Sequence, residues 1–137
     1  MYKARTTLAG FTLIELLVTI AIVAILSTLA YPAYHSFITK ARRGEATREL
    51  QDFAAVMERY YANNDSSYKD ASVARITGSS HTEHGYYSLA VTLSNSNQGY
   101  TLTATAAGTQ ANDNKCPTFT LTSIGKKGPA ATADQCW

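Results

Sequence analysis

One carboxylate near the start of a long apolar segment constrains this chain more than any other residue does. Apart from Glu15, the segment from Phe11 to Tyr34 carries no charged side chain. As an α-helix, its roughly 24 residues would form a rod of about 36 Å, long enough to cross a bilayer core of about 30 Å. A lone acid in such a span costs about 3 kcal/mol on insertion scales, so Glu15 needs a partner.

The residues that precede the apolar segment offer such a partner. They form a short basic leader, with Lys3 and Arg5, that ends at Gly10. Cleavage after Gly10 would leave a positively charged α-amine on Phe11, four residues from Glu15. A neighbouring copy of the chain could bring that amine to the acid.

This combination resembles the class III signal of type IV prepilins. The resemblance rests on the Gly10-Phe11 junction, on Thr12 and Glu15, and on the apolar run that follows them. It implies a prepilin peptidase that cuts between Gly10 and Phe11 and N-methylates Phe11. It also implies assembly into a helical filament, in which Glu15 would neutralise the Phe11 amine of a neighbouring subunit.

Three other interpretations stay open. An ordinary secretory signal also has a basic start and an apolar middle, and Thr28-Leu29-Ala30 could be its cleavage site. The apolar segment is longer than the usual span of about 7–15 residues, however, and Glu15 fits poorly in it. The other two are an uncleaved single-pass anchor and a pseudopilin, a subunit of the type II secretion machine with the same kind of start.

The charge balance argues against a nucleic-acid binder that works by bulk charge. The formal net charge is +2, but Lys3 and Arg5 lie in the leader. Without them the basic residues equal the ten acidic ones in number. Any contact with nucleic acid would therefore need a local basic patch.

The two cysteines, Cys116 and Cys136, are predicted to form a disulfide. An exported chain meets an oxidising compartment, where such a pair normally closes. In the loop-entropy model a ring of about 20 residues contributes roughly 3 kcal/mol. The resemblance implies that this loop is the exposed D-region of pilins, which takes part in filament contacts and adhesion. The bridge also weighs against a pseudopilin.

Beyond Tyr34 the apolar residues recur at helical spacing and form one buried stripe. The pattern predicts one helix from about Thr12 to Ala62, which the turn-forming residues from Asn63 onward would end. Pro32 should kink this helix, because it removes an amide and clashes with the preceding turn. The predicted stripe consists of Ile38, Ala46, Leu50, Phe53, Met57 and Tyr61.

The remaining residues predict a polar connector over 65–85 and then a sheet. Apolar and polar residues alternate over 86–93, 100–106 and 118–122, and a turn over 125–128 leads towards a short fourth strand. The expected fold is α+β: the pilin fold, with a long N-terminal helix packed on a small antiparallel sheet of three to four strands.

The sequence contains no recognised catalytic motif, such as G-x-S-x-G or H-E-x-x-H, and we predict neither an enzyme nor a cofactor. His81 and His84 form an H-x-x-H pair without an evident third ligand, which favours two loop histidines over a metal site.

Lys115, Lys126 and Lys127 surround the predicted disulfide loop. An ordinary solvated turn accounts for them. They are also candidates for DNA contact, since the resemblance implies a basic patch like the one with which some minor pilins of competence systems bind DNA.

Short motifs in the C-terminal half resemble PilE-type minor pilins. They include Tyr86-Tyr87, the run 100–104 and the ending Cys136-Trp137.

We expect a leader over 1–10, a hydrophobic helix over 11–34 and a globular head over 35–137. The resemblance implies an inner-membrane precursor, then an extracellular pilus, and a role in assembly, twitching motility, adhesion or DNA uptake. The implied partners are other pilins, the prepilin peptidase and the assembly platform. A major pilin or a pseudopilin of type II secretion remains the alternative, and a secreted binding domain with an ordinary signal peptide is a further one.

Overall fold

The computed structural model describes residues 10–130 and 133–137. The leader predicted over residues 1–10 therefore lies outside the described residues, except for Gly10. The chain divides into two compact units, one reaching to Phe37 and the other running from Ile38 to Trp137.

A single long helix, α1, occupies Leu13–Asn63. Its first turn is held by a reciprocal pair of hydrogen bonds. The backbone N–H of Glu15 donates to the Thr12 hydroxyl at 3.3 Å, and the backbone N–H of Thr12 donates to a Glu15 carboxylate oxygen at 3.5 Å. This arrangement is a capping box, which satisfies two amides that have no partner inside the helix. Pro32 lies inside α1, and its kink stays a prediction.

The part of α1 in the first unit exposes its apolar side chains. An 18-residue window of the helix has a mean hydropathy of 2.5, and none of that window is buried. By length and composition it is the one helix among the described residues that could cross a membrane. Such a surface requires an apolar environment or a partner, because a large exposed apolar patch is unfavourable in water.

A four-stranded antiparallel sheet forms the other layer of the second unit, in the order β1-β2-β3-β4. The strands are β1 (Tyr87–Ser94), β2 (Gly99–Ala106), β3 (Thr118–Thr122) and β4 (Lys127–Gly128). Strands β1 and β2 are joined by a tight turn, in which Asn95, Ser96 and Asn97 all have positive φ angles. The predicted alternation is therefore present, and the short fourth strand occupies the second half of the turn predicted over 125–128.

The core lies between the sheet and the part of α1 that belongs to the second unit. Four residues of the predicted stripe are buried, and Ile38 and Tyr61 at its ends are half-buried. The pleat places alternate residues of each strand on this side, while threonines of β2 and β3 lie on the other. The core side chains from α1 are Ala46, Leu50, Phe53 and Met57, and those from the sheet are Tyr87, Leu89, Tyr100, Leu102, Ala104, Phe119 and Leu121.

Two tyrosines fasten the connector and the sheet to α1. The hydroxyls of Tyr68 and Tyr100 donate to the same Glu58 carboxylate oxygen, at 3.0 Å and 2.9 Å. Burial, together with the nearby Glu58 carboxylate, raises the pKa of Tyr68 to about 12. The connector also contains the short helix α2 (Val73–Ile76), which the sequence analysis did not predict.

Candidate functional site

The start of α1 holds the residues predicted for processing and assembly. Phe11 is 84% exposed, and the Glu15 carboxylate folds back onto the Thr12 amide. Glu15 therefore has a local structural role that the sequence analysis missed. The signal was present in the S/T-x-x-E spacing of Thr12 and Glu15. The roles of Gly10, Phe11 and Glu15 in processing and assembly stay predictions.

The predicted disulfide is confirmed: Cys116 and Cys136 are bonded, with their Cα atoms 5.8 Å apart. Both cysteines are buried, and the bond closes a segment with a sequence separation of 20 residues. The segment runs from the end of the β2–β3 connection through β3 and β4 to the C-terminal helix α3 (Ala133–Cys136). The bond thus ties α3 to the strands of the sheet.

Replacing both cysteines by serine should lower the free energy of unfolding by about 3 kcal/mol, because the unfolded chain regains the entropy that the ring removed. Urea unfolding of the full chain in detergent micelles, followed by the fluorescence of Trp137, measures this change. Trp137 is the only tryptophan and follows Cys136 directly. Unfolding of the oxidised wild type at the same urea concentration as the double variant would contradict the prediction.

A buried ion pair connects α1 to the residues that directly precede Cys116. Two guanidinium nitrogens of Arg43 lie 2.6 Å from the two carboxylate oxygens of Asp113. Asp113 also accepts a hydrogen bond from the side chain of Gln110 at 3.0 Å and from the backbone amides of Lys115 and Cys116 at 3.3 Å. Asp113 therefore fixes the backbone next to the disulfide.

The hydrogen bonds of this pair shift the pKa of both groups. The Arg43 hydrogen bonds hold the pKa of Asp113 below its ordinary value, against the opposing effect of burial. The same hydrogen bonds raise the pKa of Arg43. Both groups are therefore charged at neutral pH, and the carboxylate stays charged in moderately acidic solution.

The three predicted lysines lie around the disulfide loop. Lys115 precedes Cys116, and its backbone oxygen lies 3.6 Å from the Cys136 sulfur. The ammonium of Lys127 lies 5.0 Å from the centre of the Trp137 ring, and the indole N–H of Trp137 donates to the Gly128 backbone oxygen at 2.9 Å. Lys115 thus lies next to the two cysteines and Lys127 next to Trp137, and Lys126 precedes Lys127 in the chain. We call these three lysines the basic edge.

Glu45 is one of the charged residues beside the apolar stripe of α1, and the structure buries it. Its side chain is 11% exposed and accepts from the His84 ring at 3.0 Å. The His84 ring stacks on the Tyr86 ring, and the Arg42 guanidinium lies 4.4 Å from the centre of the same ring. No group of three metal-ligating side chains occurs within residues 10–130 and 133–137, so His81 and His84 lack further protein ligands there.

Two models of known protein families match this chain. A family model described as "Type IV minor pilin ComP, DNA uptake sequence receptor" matches residues 32–120. A second, described as "Prokaryotic N-terminal methylation motif", matches residues 8–31. The chain belongs to the type IV pilin family. The predicted family is thereby confirmed, and this pilin has the fold and the ancestry of a structural protein rather than of an enzyme.

Several named relatives agree with this assignment. The pilin is 37% identical over 82 residues to the "Type IV major pilin protein PilE" of Neisseria gonorrhoeae, across 60% of this chain and 49% of that protein. It is 32% identical over 109 residues to a "Fimbrial protein" of Neisseria meningitidis, across 80% of this chain and 61% of that protein. The chain therefore spans about half to two thirds of the length of these relatives.

A solved structure of the same kind is also similar. It is a type IV pilin from Shewanella oneidensis, with a TM-score of 0.55 and 27% sequence identity. The similarity covers 72% of this pilin and 97% of the other chain. The predicted fold class, a long helix on a small antiparallel sheet, is thus confirmed.

Proposed function

We propose that this protein is a minor subunit of a type IV pilus that binds double-stranded DNA during DNA uptake. The observation that carries the proposal is the match of residues 32–120 to a family described as a DNA uptake sequence receptor. The prepilin peptidase would cut between Gly10 and Phe11 and methylate Phe11. The apolar half of α1 would hold the subunit in the inner membrane before assembly and pack against other pilins in the filament afterwards.

The basic edge supports DNA binding in particular. Lys115, Lys126 and Lys127 are exposed, and neither described ion pair includes any of them. The disulfide and Trp137 fix the backbone that carries Lys115 and Lys127. Lysines on a fixed backbone can neutralise phosphates and release counterions with only their side chains left to order. With the charges outside the leader balanced, these local groups would supply the attraction.

Changing Lys126 and Lys127 to alanine should weaken DNA binding about tenfold at low salt. It should also reduce the slope of log K against log salt by roughly 2, about one unit for each lysine that contacts a phosphate. The measurement is the fluorescence anisotropy of a labelled duplex titrated with the full chain in detergent micelles, at several salt concentrations.

Lys69→Ala is the matched control, because Lys69 is an exposed lysine in the connector and outside the basic edge. It should leave both the affinity and the slope as in wild type. Absence of DNA binding by the wild-type protein overturns the proposed function. Equal losses in Lys69→Ala and in the double variant mean that general charge rather than the basic edge attracts DNA.

A major pilin is the second candidate, because the relative from Neisseria gonorrhoeae carries that description. The two roles differ in stoichiometry. A major pilin forms the bulk of the sheared filament, whereas a minor pilin is a small fraction of it. Quantitative mass spectrometry of sheared pili separates the two.

A further inference from the structure

The turn between β3 and β4 presents an apolar side chain on a hydrogen-bonded frame. Thr122 organises this frame with three of its atoms. Its carbonyl oxygen accepts from the Gly125 amide at 2.9 Å, its hydroxyl accepts from the Lys126 amide at 3.1 Å, and its own amide donates to the Lys126 carbonyl at 3.0 Å. Gly125 has a φ of +76°, a conformation that suits glycine.

The residue at the vertex of this turn is Ile124, and it is 85% exposed. Among the described residues from Ile38 onward, no other large hydrophobic side chain is exposed. The rest of this unit buries its apolar residues in the core between α1 and the sheet. The backbone of the turn therefore keeps the Ile124 side chain exposed to solvent. Lys126 and Lys127 follow Ile124 within three residues.

We propose that the β3–β4 turn inserts Ile124 between base pairs of double-stranded DNA from the minor groove, while Lys126 and Lys127 contact the flanking phosphates. This inference rests on the proposed DNA-binding function and specifies how that site would engage its ligand. An apolar wedge beside basic residues is the combination with which proteins partly unstack a base step and kink the duplex.

The charge and the rigidity of the turn favour DNA over an apolar protein partner. An apolar groove of a protein would accept Ile124 but would leave the two adjacent ammonium groups without counter-charges. A duplex offers phosphates on both sides of a base step, and base stacking provides the apolar interior. Because three hydrogen bonds already fix the turn, insertion would order little additional backbone.

The test compares Ile124→Ser with Ile124→Leu, each in the full chain in detergent micelles. Ile124→Ser should bind a duplex about tenfold more weakly, because the apolar surface of the wedge is lost. Its salt slope should equal that of wild type, because no phosphate contact is lost. Ile124→Leu should bind as wild type does. Since the side chain is exposed, neither change disturbs the core.

A duplex with 2-aminopurine at a pyrimidine–purine step reports insertion directly, because such steps unstack easily. Wild type and Ile124→Leu should raise the fluorescence of the probe, and Ile124→Ser should not. If wild type binds but Ile124→Ser matches its affinity and fluorescence, the wedge is overturned and the proposed function stands. If wild type fails to bind any duplex, the proposed function fails, and the wedge fails with it.

Discussion

Replacing Glu15 by glutamine should exclude the subunit from the pilus while leaving the start of α1 folded. Glutamine can still accept the hydrogen bond from the Thr12 amide, so the capping box survives the change. The negative charge, however, is lost. If Glu15 pairs with the Phe11 amine of a neighbour inside the filament, that amine becomes an unpaired charge in an apolar core. Removing one partner of such a pair costs about 3–5 kcal/mol, so incorporation should fall by more than about a hundredfold.

The measurement is the ratio of the subunit in sheared pili to the subunit in the membrane fraction, in cells that lack the native gene. The intact mass of the membrane form serves as the internal control. A chain that starts at N-methylated Phe11 establishes that processing occurred and that the defect lies in assembly. A mature Glu15→Gln subunit found in pili at the wild-type level contradicts charge pairing.

Thr12→Ala separates the two roles of Glu15. This variant removes the hydroxyl that caps the Glu15 amide but keeps the carboxylate charge. Its helix start should lose about 1 kcal/mol, and its incorporation should stay close to that of wild type. Exclusion of Thr12→Ala together with Glu15→Gln would instead indicate that the folded capping box, rather than the charge, is what assembly requires.

The features that the sequence predicted are those encoded by local spacing. The stripe through Leu50, Phe53 and Met57 repeats with the helical period, and the threonines of β2 and β3 alternate with the period of a strand. The disulfide was predictable because the chain holds a single pair of cysteines. The helical and strand signals lie in the residues of each element, and the disulfide prediction also needed the export that the N-terminal segment indicates.

Contacts between distant residues left no such signal. Arg43 and Asp113 are 70 positions apart, and Glu45 and His84 are 39 apart. On a helical wheel Glu45 is simply one more charged residue beside the apolar stripe. Its burial depends on where the connector places His84, which a single sequence does not encode in any short motif. The β3–β4 turn that carries Ile124 likewise includes a distant contact, because the backbone amide of Ser123 donates to the Tyr100 carbonyl oxygen at 3.0 Å.

Arg43→Met should strongly destabilise the second unit while leaving its apolar core intact. It would keep most of the side-chain volume but leave the Asp113 carboxylate, which is 4% exposed, without its counter-charge. Breaking a buried pair in this way costs about 3–5 kcal/mol. Urea unfolding of the full chain in micelles, followed by Trp137 fluorescence, gives the change in the free energy of unfolding.

Arg42→Met is the matched control, because this neighbouring arginine contacts the Tyr86 ring rather than a carboxylate. Losing that contact should cost about 1 kcal/mol or less. Adding Asp113→Asn to Arg43→Met should restore part of the lost stability, because the buried site then holds no charge. Equal destabilisation by Arg42→Met and Arg43→Met would mean that the buried ion pair contributes nothing beyond packing.

The pH dependence of the difference between wild type and Arg43→Met tests the same pair. The pKa of Asp113 is lower in the folded protein than its ordinary value. The pair therefore contributes its full stability above the unfolded pKa of about 3.9 and loses it as the pH falls through the lower folded value. Wild type and Arg43→Met should differ most near neutral pH and converge in acid.

Other carboxylates titrate in both proteins, so their contributions cancel in the difference. The difference in the free energy of unfolding could instead stay constant down to the lowest pH at which both proteins fold. In that case the lost stability comes from packing of the arginine stem rather than from its charge.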